Sequence, residues 1–333
     1  MCECPLTKAV LAEMTLPIRE EVTCLADVML VGRRYIAVGT AIHSAEDEDD
    51  FDETHARAKE GRVLLISPDF DQPPARWTIN TECEIKTVGA VRDITTIHGF
   101  LAIAAASKVS IHRYDNGTGL GKDLVEVSSF SSTFVAQSLC ISPPSKQKAE
   151  ETLIVGDGLR SVLILDVDEE TGKIWSDDRD MATHQVSTLS TITDQGPGVV
   201  VADVCIYINK AVSGLLTLLQ GFSNVLTFRL RDRIEPAATF GLHEEVIRFQ
   251  HGSFAPPTSA SEVINPDLVF ATYDGRLGMI GELSDPAAKV LDDLQRNMDK
   301  YHKGPGGISW RTFRKGGTPL VQRDTAGFVD GDL

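Results

Sequence analysis

Hydrophobic residues in this chain fall in short runs broken by turn-forming residues, and only one stretch carries a helical period. Thr152 to Asp166, TLIVGDGLRSVLILD, sets the type. Leu153, Ile154 and Val155 are apolar, Gly156 and Gly158 flank Asp157, and Val162 to Leu165 are apolar again. Glycine takes positive φ without steric cost, and aspartate bonds its own backbone at turns, so the Gly-Asp-Gly triplet predicts a tight corner. Two brief apolar runs around such a corner predict a β-hairpin buried on both faces.

Variants of this unit recur. Val22 to Thr40 reads as two strands about a Gly32-Arg33-Arg34 turn, with Arg62 to Ser67 as a third. Val88 to Ile97, Phe100 to Ala105 and Val109 to Tyr114 read as three strands about His98-Gly99 and Ser107-Lys108. The small side chains of Ala102, Ala104 and Ala105 suit close packing where strands converge on an axis. A third unit runs from Val125 to Asp166 with a polar loop from Pro143 to Glu151, and a fourth begins near Val186. The fifth runs from Val246 to Leu283, and its Tyr273-Asp274-Gly275 takes the place of the Gly-Asp-Gly corner. Repeats of about 40–50 residues built from short strands predict an all-β fold, a partial β-propeller of about five blades over residues 1–285. A two-sheet sandwich is the alternative.

Two stretches depart from the pattern. Asp285 to Tyr301 predicts one short C-terminal helix: Asp285 can cap it, Pro286 suits its first position, and Val290, Leu291, Leu294, Met298 and Tyr301 share a face. That stripe reads as core packing or as a partner groove, with closing strands after it in the 286–333 segment. The other departure is in the fourth unit, where Val204 to Gln220 has no strand-and-turn logic. Removing those 17 residues leaves VVVAD-GFSNVLTFRL, a strand, an Ala-Asp-Gly corner and a strand. Val-Cys at one end can be encoded GTATGT and Leu-Gln at the other TTGCAG, so the piece reads as a retained intron, or else as a genuine apolar insertion on a blade.

Composition narrows the function. Forty-eight acidic against 32 basic groups give a net charge of −16, which disfavours direct grip on a phosphate backbone and suits protein partners. No apolar run approaches the roughly 20 residues that span a bilayer, and the N-terminus lacks the pattern of a signal peptide. The six cysteines show no metal-ligand spacing and read as reduced thiols, so no cofactor or metal site is expected. Residues 43–60 hold a dense acidic run, Glu46 to Glu53 interrupted only by Phe51, and predict a disordered loop without calcium-loop spacing. Gly117-x-Gly119-x-Gly121-Lys122 resembles a phosphate loop, but Asp123 replaces the Ser/Thr and strand follows, so it reads as a hairpin turn. No nucleophile elbow or metalloprotease motif is present, and no catalytic residue is expected.

Taken in order, several motifs resemble the cleavage and polyadenylation specificity factor A subunit family nearly end to end. They are YIAVGTA with its acidic loop and GRVLLIS, GAVRDI with FLAIAAASKVSIHRYD, LIVGDGLRSVLIL, VVVAD…GFSNVLTFRL, FATYDGRLGMIG, WRTFR and GFVDGDL. Trp310-Arg311-x-Phe313 followed by Gly327 to Leu333 is most similar to the damaged-DNA-binding branch. The splicing factor 3b branch has an A-D-x-x-x-N corner like the one that excision would create. The resemblance implies a longer protein, of which this chain is about five blades of a third, seven-bladed propeller, stopping before a helical domain. It implies a nuclear, also cytoplasmic, adaptor-type scaffold of a cullin-4 ubiquitin ligase linked to the DNA-damage response. The partners would be WD-repeat-type substrate receptors and other subunits, with nucleic acid met only through the complex and no membrane. An mRNA-processing scaffold of the splicing or 3′-end machinery is the alternative. Leu159 and Arg160, and more weakly Tyr273, match positions that face a receptor helix. The other reading of Arg160 is an ion pair within its blade. The aromatic that the adaptor branch places before the fourth unit is replaced by His184-Gln185.

Overall fold

The computed structural model describes residues 2–3, 10–43, 58–68, 79–115, 123–131, 133–144, 150–182, 184–192, 198–208, 219–230, 234–242, 244–254, 264–301 and 307. After a two-stranded ribbon of β1 (Cys2–Glu3) and β2 (Val10–Ala12), the chain winds through successive antiparallel meanders. The first blade is β3 (Glu20–Leu30), β4 (Arg33–Ile42), β5 (Glu60–Pro68) and β6 (Ile79–Val88). The second is β7 (Val91–Ile97), β8 (Phe100–Ala105), β9 (Lys108–Asp115) and β10 (Asp123–Phe130). The third is β11 (Ala136–Ser142), β12 (Thr152–Asp157), β13 (Ser161–Val167) and β14 (Ile174–Arg179). The fourth is β15 (Val186–Ile192), β16 (Gly198–Ile208), β17 (Leu219–Leu230) and β18 (Ile234–Gly241). A fifth sheet has three strands among the described residues, β19 (Val246–His251), β20 (Ile264–Thr272) and β21 (Leu277–Leu283), and leads into α1 (Asp285–Tyr301). The fold is the expected partial β-propeller.

The chain divides into two compact units. The first holds the first two blades and most of the third; the second holds Gly158–Val162 and everything from Asp178 onward. Within the first unit, β8 shows why both faces of a central strand are apolar. Alternate residues of a strand point to opposite faces. Leu101, Ile103 and Ala105 pack with Cys24, Val28, Tyr35 and Val63 of the first blade, while Phe100, Ala102 and Ala104 pack with Leu153, Val155, Leu163 and Leu165 of the third. The three alanines are at most 7% exposed, as the close approach of blades requires. Within the second unit, Val200 and Ala202 of β16 pack with Val246, Phe249, Leu268 and Phe270 of the fifth sheet.

A second device joins blades. The innermost strands β3, β7, β15 and β19 each carry a β-bulge near their start, between Val22 and Cys24, Val91 and Asp93, Val186 and Thr188, and Val246 and Arg248. A bulge re-aims the extra residue. Thr23, in the first bulge, donates its hydroxyl to the carbonyl of Val91 on the next blade. Ser187, in the bulge of β15, does the same to the carbonyl of Val246 at 2.8 Å.

The first blade also holds a polar row drawn from all four of its strands. Arg62 of β5 grips Glu20 of β3 through Nε and Nη2 at 2.5 and 2.6 Å and reaches Glu84 of β6 at 2.9 Å; Thr40 of β4 donates to Glu20 at 2.7 Å. The Glu20 side chain is only 2% exposed. Burial pushes its carboxyl up, but the hydrogen bonds from Arg62 and Thr40 outweigh that and hold it below the ordinary glutamate value. His112 of β9, buried beside Ser110 Oγ at 2.9 Å, is pulled down to about 4 by burial. Both folded-state values lie below the unfolded ones, so the unfolded chain binds more protons and stability falls with acid. We expect a first loss as pH falls from 6.5 toward about 4, which His112→Leu removes, and a second below 4.5, which Glu20→Gln removes. Urea denaturation at stepped pH checks both; a His112→Leu curve parallel to the parent would refute the first.

Several expectations need correction. The first turn is Val31-Gly32, both at positive φ, so strand resumes at Arg33 rather than after Arg34. His98-Gly99 turns as expected, but the next turn is Ala106-Ser107, with Lys108 already in strand. Val88 does not begin a strand through Ile97: Gly89 is left-handed at φ 80°, bonds the Lys59 carbonyl at 2.8 Å, and separates β6 from β7. Val125 belongs to the outer strand of the second blade, not to the third. On α1, Leu291 and Met298 are half-buried and Gln295 is buried, whereas Val290, Leu294 and Tyr301 are 66%, 53% and 86% exposed. The helix thus beds on one edge of its apolar face, and the core reading fails for those three residues. Most of the acidic stretch 43–60, the Gly117–Lys122 turn, Trp310 to Phe313 and Gly327 to Leu333 lie outside the described residues. Cys24, Cys83 and Cys140 are thiols rather than disulfides, and burial pushes Cys140 well up.

Candidate interaction site at the blade corners

Both sets of sequence-selected residues sit at the turn between the second and third strands of a blade. In the third blade, β12 carries Gly156 and Asp157 as strand, so the turn is Gly158-Leu159-Arg160, two residues later than the Gly-Asp-Gly reading. The left-handed residue is Ser161 at φ 71°, not a glycine. That conformation is costly for a residue with a Cβ, and two anchors hold it: Ser161 N donates to the His184 carbonyl at 3.0 Å and Ser161 Oγ to Asp180 Oδ2 at 2.6 Å. On the other side, Asp157 is 1% exposed; its Oδ2 accepts from Phe134 N at 2.7 Å and its Oδ1 from Val135 N at 3.3 Å.

Between these fixed ends Leu159 is 41% exposed and Arg160 is exposed. Among the described residues, the Arg160 side chain makes no hydrogen bond or ion pair. The intra-blade salt bridge considered from sequence is therefore absent there.

Tyr273 occupies the corresponding corner of the fifth sheet. Thr272 N bonds the Arg276 carbonyl at 2.9 Å, Gly275 N bonds the Thr272 carbonyl at 3.1 Å, and Gly275 supplies the positive φ of 86°. Tyr273 N reaches the Glu245 carbonyl at 2.8 Å, leaving its ring 79% exposed. Thr272 Oγ1 donates to Glu244 at 2.9 Å and Arg276 lies 3.5 Å from the same carboxylate. Burial, then the charge of Asp274, raises the Glu245 carboxyl above its ordinary value. Leu159 and Arg160 on one side and Tyr273 on the other thus mark the third and fifth meanders, with the fourth blade's corner between them in the chain.

That intervening corner holds residues the sequence reading did not assign. Asp203 repeats the role of Asp157: Oδ1 accepts from Gln185 N at 2.7 Å, and Oδ2 lies 2.8 Å from His184 Nδ1. His184 Nε2 is 4.0 Å from Asp180, which in turn holds Ser161. Serine, histidine and two aspartates in one row invite comparison with a hydrolase triad. However, Ser161 is 0% exposed and gives its hydroxyl to a carboxylate, not to the imidazole. A nucleophile needs the base on its own proton. The row is a clamp between the corner loops. The match of Asp203 to Asp157 was legible as the Ala-Asp-Gly corner, but the clamp was not, because its His184 and Asp180 lie outside that pattern. Phe134, 57% exposed just before β11, was likewise missed; it stands one blade earlier where His184 stands before β15. Among the described residues no cluster of metal-ligating side chains occurs, and no helix is long and apolar enough to cross a membrane.

Residues 5–333 match the profile of the CPSF A subunit region. The chain is 26% identical over 303 residues to DNA damage-binding protein 1a of Arabidopsis thaliana. It is 25% identical over 301 residues to DNA damage-binding protein 1 of Solanum lycopersicum, and 26% over 308 to that of Oryza sativa subsp. japonica. Each alignment covers 90% of this chain but 25% of the relative, so the chain spans about a quarter of the length of those proteins. With the profile matched over almost its whole length and the blades in place, the chain belongs to the CPSF A subunit family.

Proposed function

We propose that the chain is a protein-interaction scaffold, the docking propeller of an adaptor-type subunit, and that it carries no catalysis of its own. The observation behind this is Arg160: exposed, without a side-chain partner among the described residues, and set on a turn pinned at both ends. A guanidinium carried on an anchored backbone offers a planar, five-donor fork to a carboxylate or carbonyl group and stacks on aromatic rings. Arg, Leu and Tyr presented from short, anchored corners supply contact area at low ordering cost.

The relatives' name supports a link to damaged DNA, with the net charge of −16 favouring contact through a complex rather than by this chain. The full reading is an adaptor of a cullin-4 ubiquitin ligase in the DNA-damage response, nuclear and also cytoplasmic, with WD-repeat-type receptors seated on Leu159, Arg160 and Tyr273. Affinity purification of the full-length protein tests it: cullin-4 and WD-repeat receptors are expected, while spliceosomal or polyadenylation subunits would replace it with the mRNA-processing alternative. Arg160→Glu in the full-length protein should weaken receptor capture about tenfold or more, the loss of a hot-spot side chain. Unchanged capture in quantitative pull-down would remove the corner from the interface.

A further inference from the structure

The second hairpin of the fourth blade runs past the line at which its counterparts turn. In the second blade the pair Val91↔Ala105 closes the edge and the chain turns at once, with Ala105↔Lys108 paired on the other side. In the fifth sheet Val246↔Thr272 closes it, and three residues lead to Arg276. In the fourth blade the equivalent pair is Val186↔Asp203. Val204 N then bonds the Gln185 carbonyl at 2.8 Å, as Tyr273 N bonds that of Glu245, and Asp203 holds the loop before β15 as Asp157 holds the loop before β11. By each of these marks the blade ends at Asp203, whose partner on β17 is Asn224. The ladder nevertheless continues in unbroken register through Val204↔Ser223, Cys205↔Phe222, Ile206↔Gly221, Tyr207↔Gln220 and Ile208↔Leu219.

Joining Asp203 directly to Gly221 would leave every pair from Gly198↔Arg229 to Asp203↔Asn224 in place. The corner would be Gly221-Phe222-Ser223, equal in length to Gly158-Leu159-Arg160 between Asp157 and Ser161 and to Tyr273-Asp274-Gly275 between Thr272 and Arg276. We infer that Val204–Gln220 is an optional insertion on a complete blade, and that the chain exists in two forms with different partner-facing corners. The short form would present Phe222 and Ser223 at the register positions that Leu159 and Arg160 hold, giving three consecutive blades matching corners. The long form replaces that corner with a raised ladder. The partner half of this inference rests on the docking role proposed above; the insertion half does not.

Hydrogen exchange on the intact chain tests the insertion half without any deletion. Amides of 205–208 and 219–222 should exchange about a hundredfold faster than those of 199–203, because local openings cost least toward the end of a ladder. The chain lacking Val204–Gln220 should melt at the same temperature or higher, and transcripts from the locus should include the shorter in-frame form. Equal protection across the whole ladder, or a lower melting temperature for the shortened chain, overturns the inference. For the partner half, Phe222→Ala in the shortened full-length protein should reduce receptor capture at least fivefold. If Arg160→Glu reduces capture but Phe222→Ala does not, the partner half is wrong; if neither does, the docking role itself has failed.

Discussion

Gly61→Ala should be among the most damaging single methyl additions to the first blade, lowering stability by about 3 kcal/mol or more. A Cβ at Gly61 would stand 2.5 Å from the Thr40 carbonyl oxygen and 2.7 Å from that of Gly89, with Thr87 Oγ1 at 3.0 Å. Two of those atoms are backbone and cannot rotate aside. Gly89 is itself fixed by its bond to the Lys59 carbonyl, and Thr87 donates to the Gly89 carbonyl at 3.0 Å. The methyl must therefore separate β4 from β5 or dislodge the crossing from β6 to β7. Gly99→Ala is the control, since nothing lies within 4 Å of its Cβ and only its φ of 79° is offended. That strain costs roughly 1–2 kcal/mol. Thermal melts should separate the two variants by several degrees; equal losses would show that the close approach at Gly61 relaxes freely.

Asp157→Ala is expected to cost about 3 kcal/mol, because it strands two backbone donors inside the blade edge. The carboxylate is 1% exposed and takes the amides of Phe134 and Val135 on separate oxygens. Hydrogen bonds to an ionised acceptor are stronger than neutral ones, and their loss is felt at both ends of the corner. Asp157→Asn keeps one acceptor oxygen but turns an amide donor toward the other N–H, so it should fall between parent and alanine. Urea titration gives the ranking directly. A loss below about 1 kcal/mol for Asp157→Ala would mean that water replaces the carboxylate without penalty. The same variants should loosen Leu159 and Arg160, linking a stability measurement to the docking surface.

The central strands β8, β12 and β13 were legible because a strand buried on both faces has to be an apolar run, as Leu153 to Val155 and Val162 to Leu165 show. Three outer strands, β6, β14 and β18, were not. Ile79–Val88, Ile174–Arg179 and Ile234–Gly241 contain INTECEIKTV, IWSDDR and IEPAATFG, and half of the residues of β6 and of β14 are exposed. A strand with solvent on one face and at its edge keeps little hydrophobic pattern to read. The corner was legible in composition but not in conformation: glycine pointed to a turn, yet Ser161 takes the left-handed site because Asp180 and the His184 carbonyl hold it there. Such anchors come from residues far along the chain, and no local window contains them. The misfit of Val204–Gln220 was visible as a break in the repeat, whereas its mode of attachment, a ladder continued in register, required the pairing itself.

The bulge hydroxyls of Thr23 and Ser187 carry a consequence for how such a protein diverges. Each asks the following blade for a backbone carbonyl, from Val91 or Val246, and a carbonyl is supplied by every amino acid. Specification is thus one-sided: the preceding repeat keeps a small hydroxyl, and the succeeding one is bound by no side-chain rule at that joint. Loops and corners downstream can drift, lengthen or be replaced while the seam between repeats stays closed. A relative sharing only about a quarter of its residues can then retain the blades and yet display a different set of corners to its partners.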